Sequence, residues 1–228
     1  MLKKSIFGLL LSGLLFSVSA KNYTPSLGLN LGIGNPFYVD LNYGINYTLG
    51  AKKKFIIGTG IRGTMLFGNN LRYISAPATI TATPSNVDTF LMPSSNIIAT
   101  NIFINLGFQI NKKLSLQFSI DAIGLSFGGK QNGTFLLGEN SQKAGLPNNT
   151  THASKPTGLN ILLVGDRDFG TLNSSFTANY KISDKIGLRA GAGFLFSEYT
   201  AHKNLGAANN NRFRNKALQG VLGVSYYF

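Results

Sequence analysis

Residues 37–49 read FYVDLNYGINYTL, and the parity of this stretch decides the fold. Its odd positions, Phe37, Val39, Leu41, Tyr43, Ile45, Tyr47 and Leu49, are all apolar or aromatic. Its even positions, Tyr38, Asp40, Asn42, Gly44, Asn46 and Thr48, are mostly polar or small. Successive side chains of an extended strand point to opposite faces, so the segment has one greasy side and one hydrophilic side. A short basic turn, Gly50-Ala51-Lys52-Lys53-Lys54, follows it. Residues 55–67 then read FIIGTGIRGTMLF, with Phe55, Ile57, Ile61, Met65 and Phe67 on the apolar side. Two alternating segments joined by so short a turn predict an antiparallel hairpin, with Leu49 opposite Phe55 and Asn42 opposite Arg62.

Working outward, the same texture recurs over residues 26–34, 98–110, 114–122, 172–182, 186–196 and 216–228, which makes eight strands. Most exceed the 5–6 residues typical of soluble strands, and several reach the ~9–11 residues that cross a bilayer at a tilt. A soluble sandwich also alternates, but its solvent face carries Lys and Glu. Here the second face is Gly, Asn, Ser, Thr and Gln, the lining of a narrow polar interior. Connections alternate in length. Those at 50–54, 111–113 and 183–185 are short, and those at 68–97, 123–171 and 198–215 are long. That is the arrangement of a membrane barrel with tight periplasmic turns and extended outer loops. The first outer connection, at Asn35-Pro36, is very short, and Pro fits a turn rather than mid-sheet. Residues 71–83 and 88–91 can extend two strands beyond the membrane, and 159–165 can do the same or fold over the mouth; ten strands are the alternative count.

Composition narrows the chemistry. The 228 residues contain 21 Lys and Arg, 8 acids, 2 His, and no Cys or Trp. Absence of Cys excludes disulfide scaffolds, Cys-ligated zinc, iron–sulfur clusters and thiol catalysis. Charged residues are 13% of the chain, about half the ~25% usual for soluble domains. Residues 1–20 read as a secretory signal: Lys3 and Lys4, an apolar run from Ile6 to Phe16, and Val18-Ser19-Ala20 as cleavage site. The mature chain, 21–228, is then one barrel domain. The net charge of +13 could suggest nucleic acid, but export argues against that partner. The basic residues sit instead in the turns and long loops, at the two rims.

The chain ends Val224-Ser225-Tyr226-Tyr227-Phe228, alternating and closing on an aromatic residue. With the leader and the eight strands, residues 21–228 resemble the small bacterial outer-membrane β-barrels of the OmpA/OmpX-like type. The resemblance implies an all-β, eight-stranded, antiparallel up-and-down transmembrane barrel in the outer membrane of a Gram-negative-type bacterium. It implies that Tyr226 and Phe228 form the C-terminal assembly signal read by the insertion machinery. It implies outer-membrane lipids and lipopolysaccharide as surroundings, and it is silent about activity. Aromatic girdles are expected from Tyr47, Phe55, Phe108, Tyr180 and Phe228 at the periplasmic ends, and from Phe37, Phe67, Phe196 and Tyr199 at the outer ends.

The candidate site is the interior. Asp40, Arg62, Asp121, Lys181 and Arg189 all fall on the polar face, and an unpaired charge in a narrow lumen is costly. The expectation is an ion-pair network centred on Asp40–Arg62, diagonal neighbours across the hairpin, which closes the lumen. A gated narrow channel is the alternative. Gly58-Thr59-Gly60-Ile61-Arg62-Gly63 matches G-x-G-x-x-G, but it lies inside one strand with no helix after it, so nucleotide binding is not expected. His152 and His202 read as loop residues. Some barrels of this class modify lipid A with a His beside Ser or an acid, which makes His202 with Ser197 or Glu198 the third reading. No cofactor or metal site is visible. The expected protein is a monomeric, non-catalytic barrel serving envelope integrity or surface contact, with loops 68–97, 123–171 and 198–215 as the contact surface.

Overall fold

The computed structural model describes residues 23–164 and 167–228; the leader assigned to residues 1–20 lies outside them. The chain forms β1 (Tyr23–Ile33), β2 (Phe37–Leu49), β3 (Phe55–Ser75), β4 (Thr89–Gln109), β5 (Leu114–Phe127), β6 (Gln131–Leu136), β7 (Thr150–Pro156), β8 (Leu159–Ile161), β9 (Leu172–Lys181), β10 (Ile186–Leu205) and β11 (Asn210–Tyr227). Two short helices, α1 (Ala78–Thr81) and α2 (Glu139–Lys143), lie in the long loops. Strands β1, β2, β3, β4, β5, β9, β10 and β11 pair antiparallel in that order, and β11 returns to β1. This is a closed eight-stranded up-and-down barrel. The hairpin register is the expected one, Leu49 opposite Phe55 and Asn42 opposite Arg62.

Closure follows from the solvent. Lipid offers no hydrogen bonds, so every backbone group of a spanning sheet must find a partner within it, and a ring leaves no edge. The apolar rows face outward: Leu27, Leu29, Leu31 and Ile33 of β1, Leu41 and Tyr43 of β2, and Leu222 and Val224 of β11 are exposed. Ile61, at mid-strand, is 57% exposed. Asn30, Asn42, Asn101, Asn105 and Ser225, on the opposite face, are buried.

Half the wall continues past the membrane. β3 and β4 each run 21 residues and β10 runs 20, against 11 and 13 for β1 and β2. Beyond the short 34–36 turn, β11 pairs directly with β3 at Phe213–Ser75 and Arg214–Ile74. β4 pairs with β6, β6 with β7, and β7 with β10. With β3–β4 and β10–β11 these contacts close a second ring of six strands, β3-β4-β6-β7-β10-β11, stacked on the first. Its interior is apolar: Tyr73, Phe90, Met92, Phe135, Tyr199 and Phe213 belong to one buried cluster. Phe90 stacks on Phe213 at 5.1 Å between ring centroids, and Tyr73 meets Tyr199 edge-on at 5.3 Å.

The switch from apolar-outside to apolar-inside is local. On β3, Leu66 and Gly68 are buried, Asn69 and Asn70 are both exposed, and Leu71, Tyr73 and Ser75 are buried again. On β4, Phe90 and Met92 are buried, Pro93 and Ser94 exposed, Ser95 and Ile97 buried. Asn69 pairs with Ser94 and Leu71 with Met92, so Asn70 and Pro93 sit at the same level and both strands change face together. Asn70 has φ +51°, a conformation Asn tolerates better than most residues, and Pro93 has no ladder N–H to lose. At the tip, buried Asp88 accepts a hydrogen bond from the Gly138 N–H at 2.7 Å, and buried Ser141 accepts one from Ala207 N–H at 2.9 Å. These bonds tie the three long loops together.

Candidate functional site

The middle of the lumen is a polar layer whose centre is built from four of the eight strands, β3, β4, β5 and β9. Arg62 on β3 reaches across to β5, where Nη1 donates to Asp121 Oδ1 at 2.8 Å and Nη2 donates to Ser119 Oγ at 2.5 Å. Nη1 also donates to the carbonyl of Asn173 on β9 at 3.2 Å. The second carboxylate oxygen of Asp121 accepts from Asn101 Nδ2 at 2.8 Å and from the Asn173 N–H at 2.9 Å. Phe103 lies under the guanidinium, 5.1 Å from ring centre to Cζ. Arg62 and Asp121 are both buried, 3% and 0% exposed, so the pair is desolvated and its worth depends on these additional bonds.

The expected centre, Asp40–Arg62, is corrected. Asp40 makes no ion pair with Arg62; its Oδ1 accepts from Asn30 Nδ2 at 2.8 Å and Asn42 Nδ2 at 2.7 Å. Two neighbouring amides satisfy the acid without a cation, which leaves Arg62 free to span the lumen. Among the described residues Arg189 on β10 also has no carboxylate partner. Its Nη1 lies 3.4 Å from Asn42 Oδ1, so Asn42 stands between Arg189 and Asp40. Lys181 is apart from the layer, at the turn end of β9, with Nζ 4.5 Å from the Tyr227 ring centre. Sequence reasoning missed the amides Asn30, Asn42 and Asn101 as carboxylate ligands. The recurring Asn on the polar faces of β1, β2, β4 and β9 was the available signal.

Above this layer Tyr38, Leu66, Ile97 and Leu195 cross the lumen, all 1% exposed or less, and the apolar core of the second ring follows. Toward the turn end lies a cavity of ≈ 30 Å³, lined by Arg62, Arg189, Asn46, Asn105, Gln117 and Ser26 among others. It holds about two water-sized particles rather than a permeating solute.

Other candidates separate. Ser197 and Glu198 are adjacent on β10 and therefore point to opposite faces. Ser197 Oγ faces in and bonds the Tyr73 hydroxyl at 2.9 Å, which also bonds Ser95 Oγ at 2.6 Å. Burial pushes the Tyr73 hydroxyl well above the ordinary phenol value. Glu198 faces out but is covered: its carboxylate accepts from Arg212 Nε at 2.8 Å and from Arg214 Nη2 at 3.1 Å. Both arginines also donate to the Asp168 carbonyl, and Phe169 lies 3.4 Å from the Arg212 guanidinium. His202 is exposed and His152 pairs with Thr150 Oγ1 at 2.9 Å, so among the described residues no Ser–His–acid group assembles. Tyr199, assigned to the outer girdle, is instead fully buried in the second ring, because on β10 it shares the inward parity of Leu195 and Ser197, opposite to the outward-facing Phe194.

The Gly58–Gly63 stretch is strand, as expected. A Cβ on Gly60 would lie 2.1 Å from the Tyr43 carbonyl and 2.8 Å from Phe103, so the small residue makes room for that ring. Tyr226 and Phe228 lie at the lipid-facing end of the closing strand, rings 5.1 Å apart, and the Phe228 N–H donates to Pro25 O at 3.2 Å. Among the described residues no group of three or more His, Cys, Asp or Glu is placed to hold a metal.

No family model and no curated protein matches the chain. Among solved structures it is similar to Neisserial surface protein A, at 10% identity over 90% of this chain and 96% of that one, TM-score 0.40. It is also similar to the outer membrane protein Ail of Yersinia pestis, at 11% identity over 90% and 99%, TM-score 0.36. A de novo designed transmembrane β-barrel is similar at 10% identity over 90% and 95%, TM-score 0.33.

Proposed function

We propose that this chain is a monomeric, non-catalytic outer-membrane protein of a Gram-negative-type bacterium that holds a rigid β-domain at the cell surface for envelope integrity or surface contact. The observation that carries this reading is the filling of the interior at two successive levels. The Arg62–Asp121 layer occupies the membrane section, and the Tyr73, Phe90, Phe135 and Phe213 core occupies the projecting section. A protein evolved to pass solutes keeps an aqueous lumen, whereas here long loops have been folded into a second barrel. The tip loops 68–97, 123–171 and 198–215 are the contact surface in this reading. The lipid-facing rows meet outer-membrane lipids, loop Arg and Lys meet lipopolysaccharide, and Tyr226 and Phe228 meet the insertion machinery.

Planar-bilayer recording of the purified protein tests it. Wild type is expected to give no steady conductance, and Arg62→Ala at most brief openings. Steady conductance from wild type would defeat the closed-lumen reading and favour a small channel.

A further inference from the structure

We propose that the turn-end half of the lumen is a binding site for one small monovalent anion of halide size. The ≈ 30 Å³ cavity there is lined by two guanidinium groups, Arg62 and Arg189, and by amide and hydroxyl side chains, among them Asn30, Asn42, Asn105 and Thr177. No carboxylate is among its walls. Every polar group in that set can present an N–H or O–H, and the two arginines can present nothing else.

The two arginines differ in what they lack. Arg62 has Asp121, Ser119 and the Asn173 carbonyl as acceptors for its terminal nitrogens. Among the described residues Arg189 has only the 3.4 Å contact to Asn42 Oδ1. The buried Nε of each has no protein acceptor among the described residues. A buried cation without an acid is expensive, and a mobile anion beside it offsets that cost without a second fixed charge. Asp40 is the competing negative charge. It stands directly behind the wall formed by Asn30 and Asn42, which donate to it, and is not itself a wall residue. Its nearness favours a singly charged anion over a phosphate, and the volume does the same.

The approach to the site is basic throughout. Lys181 lies at the turn end of the lumen, and Lys52, Lys53, Lys54, Lys112, Lys113 and Lys185 are exposed on the three short turns around it, against one acid, Asp184. A rim of one sign raises the local concentration of counter-ions. Toward the loops the lumen is filled, so the site is a blind pocket and not part of a conduction path.

Bromide tests this directly. Crystals of the full barrel grown in sodium bromide should show one anomalous peak beside the Arg189 guanidinium. The ⁸¹Br resonance of a bromide solution should broaden on adding wild-type protein and narrow again on adding excess chloride. Arg189→Gln should abolish both signals while leaving strand content unchanged. The wild-type signals decide the matter even where that variant fails to fold. Absence of a peak in wild type overturns the proposal, as does a peak without line broadening in solution, which is binding at crystal concentration only. A peak that survives Arg189→Gln overturns the role given to Arg189.

Discussion

The two rings of this molecule use the same alternation with opposite sign. In the membrane ring the apolar residues Leu29, Leu41, Ile61 and Leu222 face out, and the interior is Asn, Ser, Arg and Asp. In the projecting ring Tyr73, Phe90, Phe135 and Phe213 face in, and the outer face carries Arg72 and Lys155. The difference is set by the solvent outside. Lipid takes the apolar rows of the first ring, so its narrow interior must be held by hydrogen bonds that satisfy one another. Water surrounds the second, so its interior is held by apolar burial, as in a soluble domain. The membrane ring should therefore fail when a polar partner is removed, and the projecting ring when a cavity is opened.

Removing Arg62 is the largest expected effect. Arg62→Ala leaves Asp121 buried and uncompensated, and loss of one partner of a buried pair costs about 3–5 kcal/mol. Urea unfolding in lipid vesicles, read by the heat-modifiable gel shift, measures it. Arg62→Leu combined with Asp121→Leu should recover most of that loss. If the double variant is as unstable as the single, the layer works by shape and not by charge pairing.

Phe213→Ala is the matching cut in the other ring. Its ring stacks on Phe90 and meets Phe135 edge-on at 6.0 Å between centroids. Truncation should cost about 3 kcal/mol through transfer and cavity terms. The loss should be local: proteolysis should cleave within residues 76–88 and 137–149 while the membrane ring keeps its gel shift. Simultaneous collapse of both rings would show one cooperative unit instead of two.

This division also marks what the sequence made legible. In the membrane ring, alternation runs unbroken over residues 37–49 and 55–67, so strand number, facing and hairpin register could be read from parity. Of the projecting ring, only the extension of two strands through 71–83 and 88–91 was legible, seen in β3 running to Ser75 and β4 starting at Thr89; the ring itself was hidden because parity breaks at Asn70 and Pro93, and because β6 and β7 are only 6 and 7 residues long. Tyr199 alone of its core was read as a lipid contact, from its aromatic type and not from its parity on β10. The charge layer was half legible. Parity put Asp40, Arg62, Asp121 and Arg189 on the inner face, but parity carries no distance across a lumen. The nearest acid along the hairpin was chosen, whereas ring closure brings β5 and β9 opposite β3. A register shift between Ile102 and Phe103, opposite residues 121–123, further sets the direction of Asp121.

The smallest effect makes the sharpest test of where one ring ends. Ile61 and Ile74 both lie on the outer face of β3, 57% and 40% exposed. By exposure alone Ile61 should be the more tolerant. Ile61 lies at mid-strand in the membrane ring, where an arginine on the lipid face costs about 2–4 kcal/mol. Ile74 lies four residues past Asn70, where the same side chain meets water and costs within ~0.5 kcal/mol. Vesicle unfolding of Ile61→Arg and Ile74→Arg should therefore rank them opposite to their exposure. Equal costs would place the bilayer boundary beyond Ile74, and the second ring would then stand within the membrane with Arg72 on its lipid face.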